Sequence, residues 1–288
     1  MRIFGPGRGR APMRRRRILW WPILLFALYG AYYYFTNQET VPITGRTQLV
    51  DMSRDQEAAL GLQAYRQILA QENVVPAGKT VEVVRTIGQR LAAAAAPEDP
   101  GFEWEFNVIE SDQANAFALP GGNVAVYTGI LPVTRHVDGL AIVMGHEIAH
   151  AIARHGAERI AHQKLVQLGT LAAGMAMSDM DMQTQQMVMG ALGVGAQYGV
   201  ILPFSRDHES EADRMGLVFA ARACFDPRQA PALWERMAGA GRGQPAEFMS
   251  THPSHATRIR NFEAWMPEAL EIRAASCPNQ PLPAEPVG

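Results

Sequence analysis

His146-Glu147-Ile148-Ala149-His150 decides how the centre of this chain folds, because it sets two imidazoles four residues apart with a carboxylate beside the first. On an α-helix, residues four apart lie on one face, about one turn from each other. Two such rings can bind one zinc ion, and the neighbouring carboxylate can then act on a water molecule. The spacing therefore predicts a helical metal site with Glu147 as a candidate base.

The residues around this motif predict a helix that is buried on most sides. Apolar residues recur at three- and four-residue spacing, and no proline occurs between Pro132 and Pro203. The alternative is a core helix whose His and Glu side chains only hydrogen-bond to their neighbours. Burying an unpaired Glu and two His among apolar residues is costly, so the sequence favours a metal.

A catalytic zinc ion usually takes three protein ligands, so a third ligand is expected elsewhere in the chain. The metzincin pattern would need Gly at 153 and His at 156, where this chain has Ala153 and Gly156. The remaining common solution is a Glu from a second helix, which residues 205–213 supply. Glu209 and Asp213 stand four residues apart there, so one face can present a ligand and a carboxylate that holds a ligating His.

With these motifs the chain resembles the HtpX and CAAX-prenyl-protease family of gluzincin zinc peptidases, metallopeptidase family 48, and most of all its BepA-, LoiP- and OMA-like members. The resemblance runs from about residue 41 to about residue 260. Besides the His-Glu-x-x-His motif, the matching segments are residues 41–46, 115–122, 126–129, 205–213 and 251–253. The resemblance implies an α+β, mainly helical gluzincin fold with a small sheet beside the active-site cleft.

The same resemblance assigns roles to the motif residues. It implies that His146, His150 and Glu209 bind one zinc ion per chain, that Glu147 is the general base, and that Asp213 holds a ligand in place. The implied activity is that of a metalloendopeptidase, in which a zinc-activated water hydrolyses peptide bonds.

Two further segments are predicted to meet the substrate or the metal. The resemblance places Asn115 and Ala116 along a bound peptide, and their surroundings fit a strand that can take up an added strand. An ordinary hairpin is the alternative. His252 stands in a Thr-His-Pro loop, which in BepA-like relatives can close the zinc site. It is predicted to cap the metal or to assist the oxyanion, and the alternative is a helix cap or a surface position.

The other candidate side chains are predicted to lie outside the metal site. Glu211 is expected to point away from it, and His208 to line the cleft. Four histidines fit solvated helix ends or faces: His136, His155, His162 and His255. The chain has two cysteines, Cys224 and Cys277, which form one disulfide if the compartment is oxidising and stay free thiols otherwise.

The N-terminus is basic and then apolar. Residues 1–37 contain seven Arg and no acidic residue, and the uncharged residues 18–35 would span about 27 Å as a helix. This pattern predicts a single-pass anchor in a bacterial inner membrane, with the N-terminus cytoplasmic and the catalytic domain periplasmic. A cleaved signal peptide is the alternative, although no small-x-small cleavage site follows the apolar run.

The predicted organisation is a basic tail at 1–17, the anchor at 18–35, a linker at 36–50, a peptidase domain at 51–276 and a Pro-rich disordered tail at 277–288. After residue 37 the chain has 19 basic against 28 acidic residues, which excludes a basic face for nucleic acid. The apolar residues 165–204 are predicted to form helices that pack around the active site.

The sequence therefore predicts a membrane-anchored zinc endopeptidase whose partners are polypeptide substrates, above all misfolded or misassembled envelope or membrane proteins. The alternative is an anchored chaperone or adaptor with a structural or latent zinc site. The presence of Glu147 favours catalysis, since a structural zinc ion needs no base.

Overall fold

A computed structural model describes residues 18–196, 202–240, 252 and 256–282 of this chain. The chain divides into two compact units. One contains the described residues of 1–36 together with 163–196, and the other contains 37–162 together with the described residues from 202 onwards. The predicted basic tail at 1–17 and the last six residues of the predicted disordered tail lie outside the described residues. The candidate site lies in the second unit.

The described residues are mainly helical, with two small sheets, which confirms the predicted α+β class. The helices are α1 (Trp20–Thr36), α2 (Arg54–Leu69), α3 (Lys79–Ala95), α4 (Leu131–Thr134), α5 (Val137–Ile152), α6 (His155–Ala176), α7 (Met182–Ala196), α8 (Leu202–Arg222), α9 (Gln229–Ala240) and α10 (Ala256–Ser276). The strands are β1 (Gln38–Thr40), β2 (Thr47–Leu49), β3 (Val74–Val75), β4 (Glu105–Ile109), β5 (Ala116–Leu119) and β6 (Asn123–Tyr127). Strands β1 and β2 form an antiparallel pair within the stretch that was predicted to be a linker.

The larger sheet has the strand order β3-β4-β6-β5. Strands β4 and β6 are parallel, while β5 and β6 form an antiparallel hairpin in which Ala116 pairs with Val126 and Leu119 with Asn123. The turn needs glycine, because Gly121 and Gly122 have φ angles of 94° and 97°, which residues with a Cβ rarely adopt. Because β5 stands last in the strand order, it lies at the edge of the sheet.

Helices α5 and α8 pack against each other at two glycines. A Cβ built on Gly145 would lie 3.0 Å from the carbonyl oxygen of Gly216, and a Cβ built on Gly216 would lie 2.7 Å from the backbone nitrogen of His146. The helix backbones therefore approach more closely than larger residues would allow. This contact brings Glu209 and Asp213 of α8 beside the histidines of α5.

The hydrophobic core around this helix pair is large. Helix α5 buries thirteen of its residues, including His146 and Glu147. Helix α10 packs against α8. Its Phe262 is buried beside Trp234 of α9. The ends of α8 and α10 are joined by a disulfide between Cys224 and Cys277, whose Cα atoms lie 5.8 Å apart. The disulfide that the sequence left open is therefore formed.

The structure does not support the predicted transmembrane helix. Helix α1 begins at Trp20 and ends at Thr36 after 17 residues. Across the described ranges, none of the helices combines the length and the apolar character that a membrane crossing requires.

Candidate metal centre and active site

Four side chains from three parts of the chain point their donor atoms at one another: His146 and His150 on α5, Glu209 on α8, and His252. The Nε2 atoms of the two α5 histidines lie 3.0 Å apart, and each lies 3.4 Å from a carboxylate oxygen of Glu209. Nδ1 of His252 lies 3.0 Å from Glu209 and 3.3 Å from Nε2 of His146. All four donor atoms fall within 4.8 Å of one another.

These donors fit a metal ion by type and by spacing. Histidine nitrogens and carboxylate oxygens bind zinc at about 2.0–2.2 Å, so donor atoms 3.0–3.4 Å apart suit a single ion between them. The two histidines of α5 differ in pKa. Burial lowers the pKa of His146, but hydrogen bonds to Asp213 and Glu209 outweigh it and raise the pKa to about 9. Burial and the charge of His146 lower the pKa of His150 to about 3.

Asp213 lies one turn beyond Glu209 on α8 and holds the first histidine. Its Oδ1 is 3.0 Å from Nδ1 of His146, which directs Nε2 of that ring at the other donors. Burial alone would raise the pKa of Asp213, but the charge of Arg258 and the hydrogen bonds from His146 and Arg258 lower it. The carboxylate is therefore kept ionised while completely buried.

Arg258 on α10 completes this arrangement, and sequence reasoning missed it. Its Nε and Nη2 each donate to Asp213 at 2.6 Å, and its Nη1 lies 3.0 Å from an oxygen of Glu209. The guanidinium stacks 3.6 Å from the ring centre of Trp234, whose ring also meets His146 edge-on. The buried guanidinium of Arg258 therefore holds the carboxylates of both Asp213 and Glu209. Nothing in the spacing of Arg258 from the other motifs identifies it.

Glu147 lies between the metal donors and the edge strand. It is buried, its Oε1 is 3.5 Å from Nε2 of His252, and it lies close to the backbone of Ala118 on β5. Burial raises the pKa of Glu147, and the nearby charges of His252 and His146 only partly offset that effect. A carboxylate that is destabilised in this way accepts a proton readily.

Asn115 and Ala116 lie at the start of strand β5. The Asn115 side chain accepts a hydrogen bond from the Ala116 amide at 2.9 Å, and the Asn115 carbonyl accepts one from Tyr127 at 3.0 Å. Ala116 is buried and pairs with Val126, so its side chain belongs to the core. In the described part of the sheet, β5 has a strand on only one side. The placement of these two residues along a peptide stays a prediction.

A second polar cluster lies behind His150 and was not foreseen. His155 was predicted to be solvated, and this prediction is wrong, because the residue is 3% exposed. Its ring stacks 4.1 Å from that of His208, and Glu211 and Glu158 lie beside the two rings.

Glu211 was expected to point away from the metal donors, and it does, since it contacts Arg46 and His155 instead. His136 caps the start of α5 by accepting from Gly139, whereas His255 lies outside the described residues.

A helix with the His-Glu-x-x-His motif, packed on a second helix that adds a carboxylate, is the arrangement that defines one class of metallopeptidases. Residues 79–266 match Peptidase family M48. This chain belongs to that family, and it is a metalloendopeptidase. The resemblance inferred from its motifs is confirmed.

Individual relatives agree with this assignment. The chain is 40% identical over 252 residues to Mitochondrial metalloendopeptidase OMA1 of Schizosaccharomyces pombe, a match that covers 86% of this chain and 72% of the relative. It is 32% identical to the protein of the same name in Saccharomyces cerevisiae, covering 86% and 75%. It is 29% identical to the Beta-barrel assembly-enhancing protease of Escherichia coli, covering 77% and 46%.

The predicted location in a bacterial inner membrane, with a periplasmic catalytic domain, is wrong. Several of the most similar relatives are named as mitochondrial proteins. The prediction rested on the hydropathy of residues 18–35, where α1 forms from Trp20 to Thr36.

Proposed function

We propose that this chain is a zinc-dependent endopeptidase in which His146, His150 and Glu209 hold the metal and Glu147 is the general base. The observation that carries this proposal is the convergence of three donor atoms at 3.0–3.4 Å with a buried carboxylate directly beside them. When bound, a zinc ion polarises the scissile carbonyl and lowers the pKa of a water molecule from about 15.7 toward about 7.

Side chains of the protein carry out the proton transfers and orient the metal ligands. Glu147 takes a proton from the attacking water and returns it to the leaving amine, and its raised pKa suits the first of these transfers. Asp213 holds the Nδ1 proton of His146, so that the opposite nitrogen of the ring faces the metal. Glu147 is buried, so bulk water is excluded from it and each of these interactions is strengthened.

The substrate is a polypeptide, and we propose that it binds along β5. An edge strand can pair with an extended peptide through main-chain hydrogen bonds. The backbone of Ala118 on this strand lies close to Glu147, so the strand runs directly beside the proposed base. Asn115 and Ala116, at the start of the same strand, would then lie along the bound peptide.

An extended peptide is accessible only in unfolded segments, so the substrate class that fits best is misfolded or misassembled protein. The name of the Escherichia coli relative, Beta-barrel assembly-enhancing protease, motivates the proposal that these substrates include envelope or membrane proteins. An unfolded protein such as casein should be cleaved, and a compact folded protein of the same size should not.

Replacing Glu147 by Gln tests the proposed mechanism. The variant should still bind one zinc ion per chain but should cleave casein at least about 100-fold more slowly, since proton transfer by a positioned base contributes 10²- to 10⁴-fold. Glu268→Gln, which changes an exposed carboxylate paired with Arg214, is the matched control and should cleave at the parent rate. Casein digestion by Glu147→Gln at the parent rate would exclude the proposed base.

A latent or structural zinc site is the second candidate, and the position of His252 favours it. Its Nδ1 lies 3.0 Å from Glu209, which makes it a fourth protein donor, and structural zinc sites are closed by four protein ligands. An enzyme that is only latent gains activity when this ligand is removed, whereas an adaptor with a structural zinc has no cleavage activity to gain.

A further inference from the structure

His150 and His155 are joined at the break between α5 and α6. Helix α5 ends at Ile152 and α6 begins at His155, because Arg154 takes a left-handed conformation with a φ of 60°. Arg154 is fixed there by a 2.7 Å hydrogen bond to Glu57. The turn brings His155 back beneath the preceding helix, so that its Nδ1 lies 2.7 Å from Nδ1 of His150.

This short contact assigns the protons on both rings. Nε2 of His150 faces Glu209 and Nε2 of His146, so it is the nitrogen directed at the metal. The hydrogen of His150 must then be on Nδ1, where it is donated to Nδ1 of His155. The hydrogen of His155 is therefore on Nε2, which lies 3.0 Å from an oxygen of Glu211.

Glu211 is in turn held in place by three donors. Arg46 donates to it through Nε at 2.9 Å and Nη2 at 2.7 Å, and the hydroxyl of Thr44 donates to its other oxygen. The same guanidinium donates to both oxygens of Glu158, at 2.8 Å and 2.7 Å. Arg46 therefore anchors the carboxylate that fixes the tautomer of His155.

We propose that His155 is the positioning residue for His150, and that Glu211 and Arg46 hold it in the accepting tautomer. This inference rests on the proposed function, in which His150 is a metal ligand. The two histidine ligands are then held differently: His146 by the carboxylate of Asp213, and His150 by a neutral imidazole with a carboxylate behind it. Such partners orient a ligand and increase its basicity.

The experiment measures zinc affinity by competition with a chromophoric chelator, using the full chain. His155→Leu removes the acceptor and leaves the Nδ1 hydrogen of His150 without its partner, so zinc should bind about 10- to 100-fold more weakly. His155→Gln keeps an acceptor and a donor on one planar group and should recover most of that affinity. His162→Leu, two turns further along α6, is the matched control and should bind zinc as the parent does.

A second readout separates positioning from folding. In protein loaded with cobalt instead of zinc, the visible absorption spectrum reports the ligand geometry, and it should change in His155→Leu but not in His162→Leu. If His155→Leu does not fold, Glu211→Gln takes its place and should weaken zinc binding several-fold. Zinc affinity and cobalt spectrum equal to those of the parent in His155→Leu, or in Glu211→Gln as its replacement, would overturn the positioning role.

The outcome distinguishes this inference from the proposed function. A parent protein that binds no stoichiometric zinc would remove the proposed function itself, and with it the basis of the inference. A parent that binds zinc and cleaves casein, together with an unchanged His155→Leu variant, would remove only the role of His155.

Discussion

Gly216 lies directly against the backbone of His146, so that a Cβ at residue 216 would come within 2.7 Å of the His146 amide nitrogen. The atom in the way is backbone and cannot rotate aside. The distance between the two helices, and with it the reach of Glu209 to the histidines, therefore depends on the absence of a side chain at this position.

Gly216→Ala should push α8 away from α5. Overpacking of this kind typically costs about 1–3 kcal/mol, and we expect the free energy of unfolding to fall by that amount and zinc binding to weaken with it. Chemical denaturation and chelator competition measure the two effects. The control is Gly174→Ala in α6, where a Cβ meets nothing within 4 Å and the gain in helix propensity should stabilise the protein slightly. Tighter zinc binding in Gly216→Ala would contradict this account.

Replacing Arg258, even by Lys, should weaken zinc binding. Arg258→Lys keeps the charge but cannot donate to both oxygens of Asp213 while also placing its charge beside Glu209, so we expect zinc affinity to fall at least about 10-fold. Arg258→Ala should also reduce the free energy of unfolding by about 3–5 kcal/mol, because it leaves buried carboxylates unpaired. Arg214→Ala, which breaks an exposed pair with Glu268, should change stability by less than about 1 kcal/mol.

His252→Ala should raise the rate at which a short peptide is cleaved. The imidazole lies among the candidate metal donors, 3.0 Å from Glu209 and 3.3 Å from His146, and we propose that it occupies the position that water and substrate need. The measurement is kcat/KM for a fluorogenic peptide at saturating zinc. A fall in kcat with KM unchanged would instead assign His252 to the transition state, since that pattern marks an interaction made only there.

Glu158 should make the free energy of unfolding decrease as the pH falls below about 4.5. Burial alone would raise its pKa, but hydrogen bonds from Arg46 and His208 lower it from 4.5 to about 2. A carboxyl group whose pKa is lowered in the folded state stabilises that state above its unfolded pKa, and the stabilisation is lost as the pH falls. The difference in free energy of unfolding between the parent and Glu158→Gln should therefore be constant above about pH 5 and should shrink between pH 4.5 and about 2. A difference that grows in this range would contradict the assignment.

The disulfide between Cys224 and Cys277 should stabilise the fold without contributing to catalysis. It closes a loop of 53 residues between the ends of α8 and α10, and cross-links of this kind typically contribute about 2–4 kcal/mol. The double variant Cys224→Ser/Cys277→Ser should unfold at lower denaturant concentration, yet cleave casein at the parent rate at 25 °C. Adding a reductant should destabilise the parent and leave the double variant unchanged.

The parts of the site that could be predicted are those encoded locally. His146, His150, Glu209 and Asp213 follow helical spacing within single segments, so their relation along each helix is visible in the sequence, and the structure brings the two segments together. Their roles stay predictions until metal binding is measured. The small sheet was expected from the resemblance to the family, and the structure contains a four-stranded sheet that includes residues 116–119 and 123–127.

The parts that could not be predicted depend on contacts between distant segments. Arg258 and Arg46 act on the site through partners far from them in sequence, and a lone Arg in a chain carries no sign of such a partner. His155 lies only five residues from His150, but its burial follows from the left-handed turn at Arg154, which the sequence did not reveal. At the N-terminus, hydropathy predicted a helix over residues 18–35, and α1 forms there from Trp20 to Thr36.

The spread of the site along the chain also bears on how a cell can make such an enzyme safely. The two carboxylates that complete the metal centre depend on Arg258, and the cluster behind His150 depends on Thr44 and Arg46. A nascent polypeptide cannot assemble this site until residues 44 to 258 have all left the ribosome. We therefore expect a chain that stops before residue 258 to lack an ordered metal centre and to cleave no protein during its own synthesis.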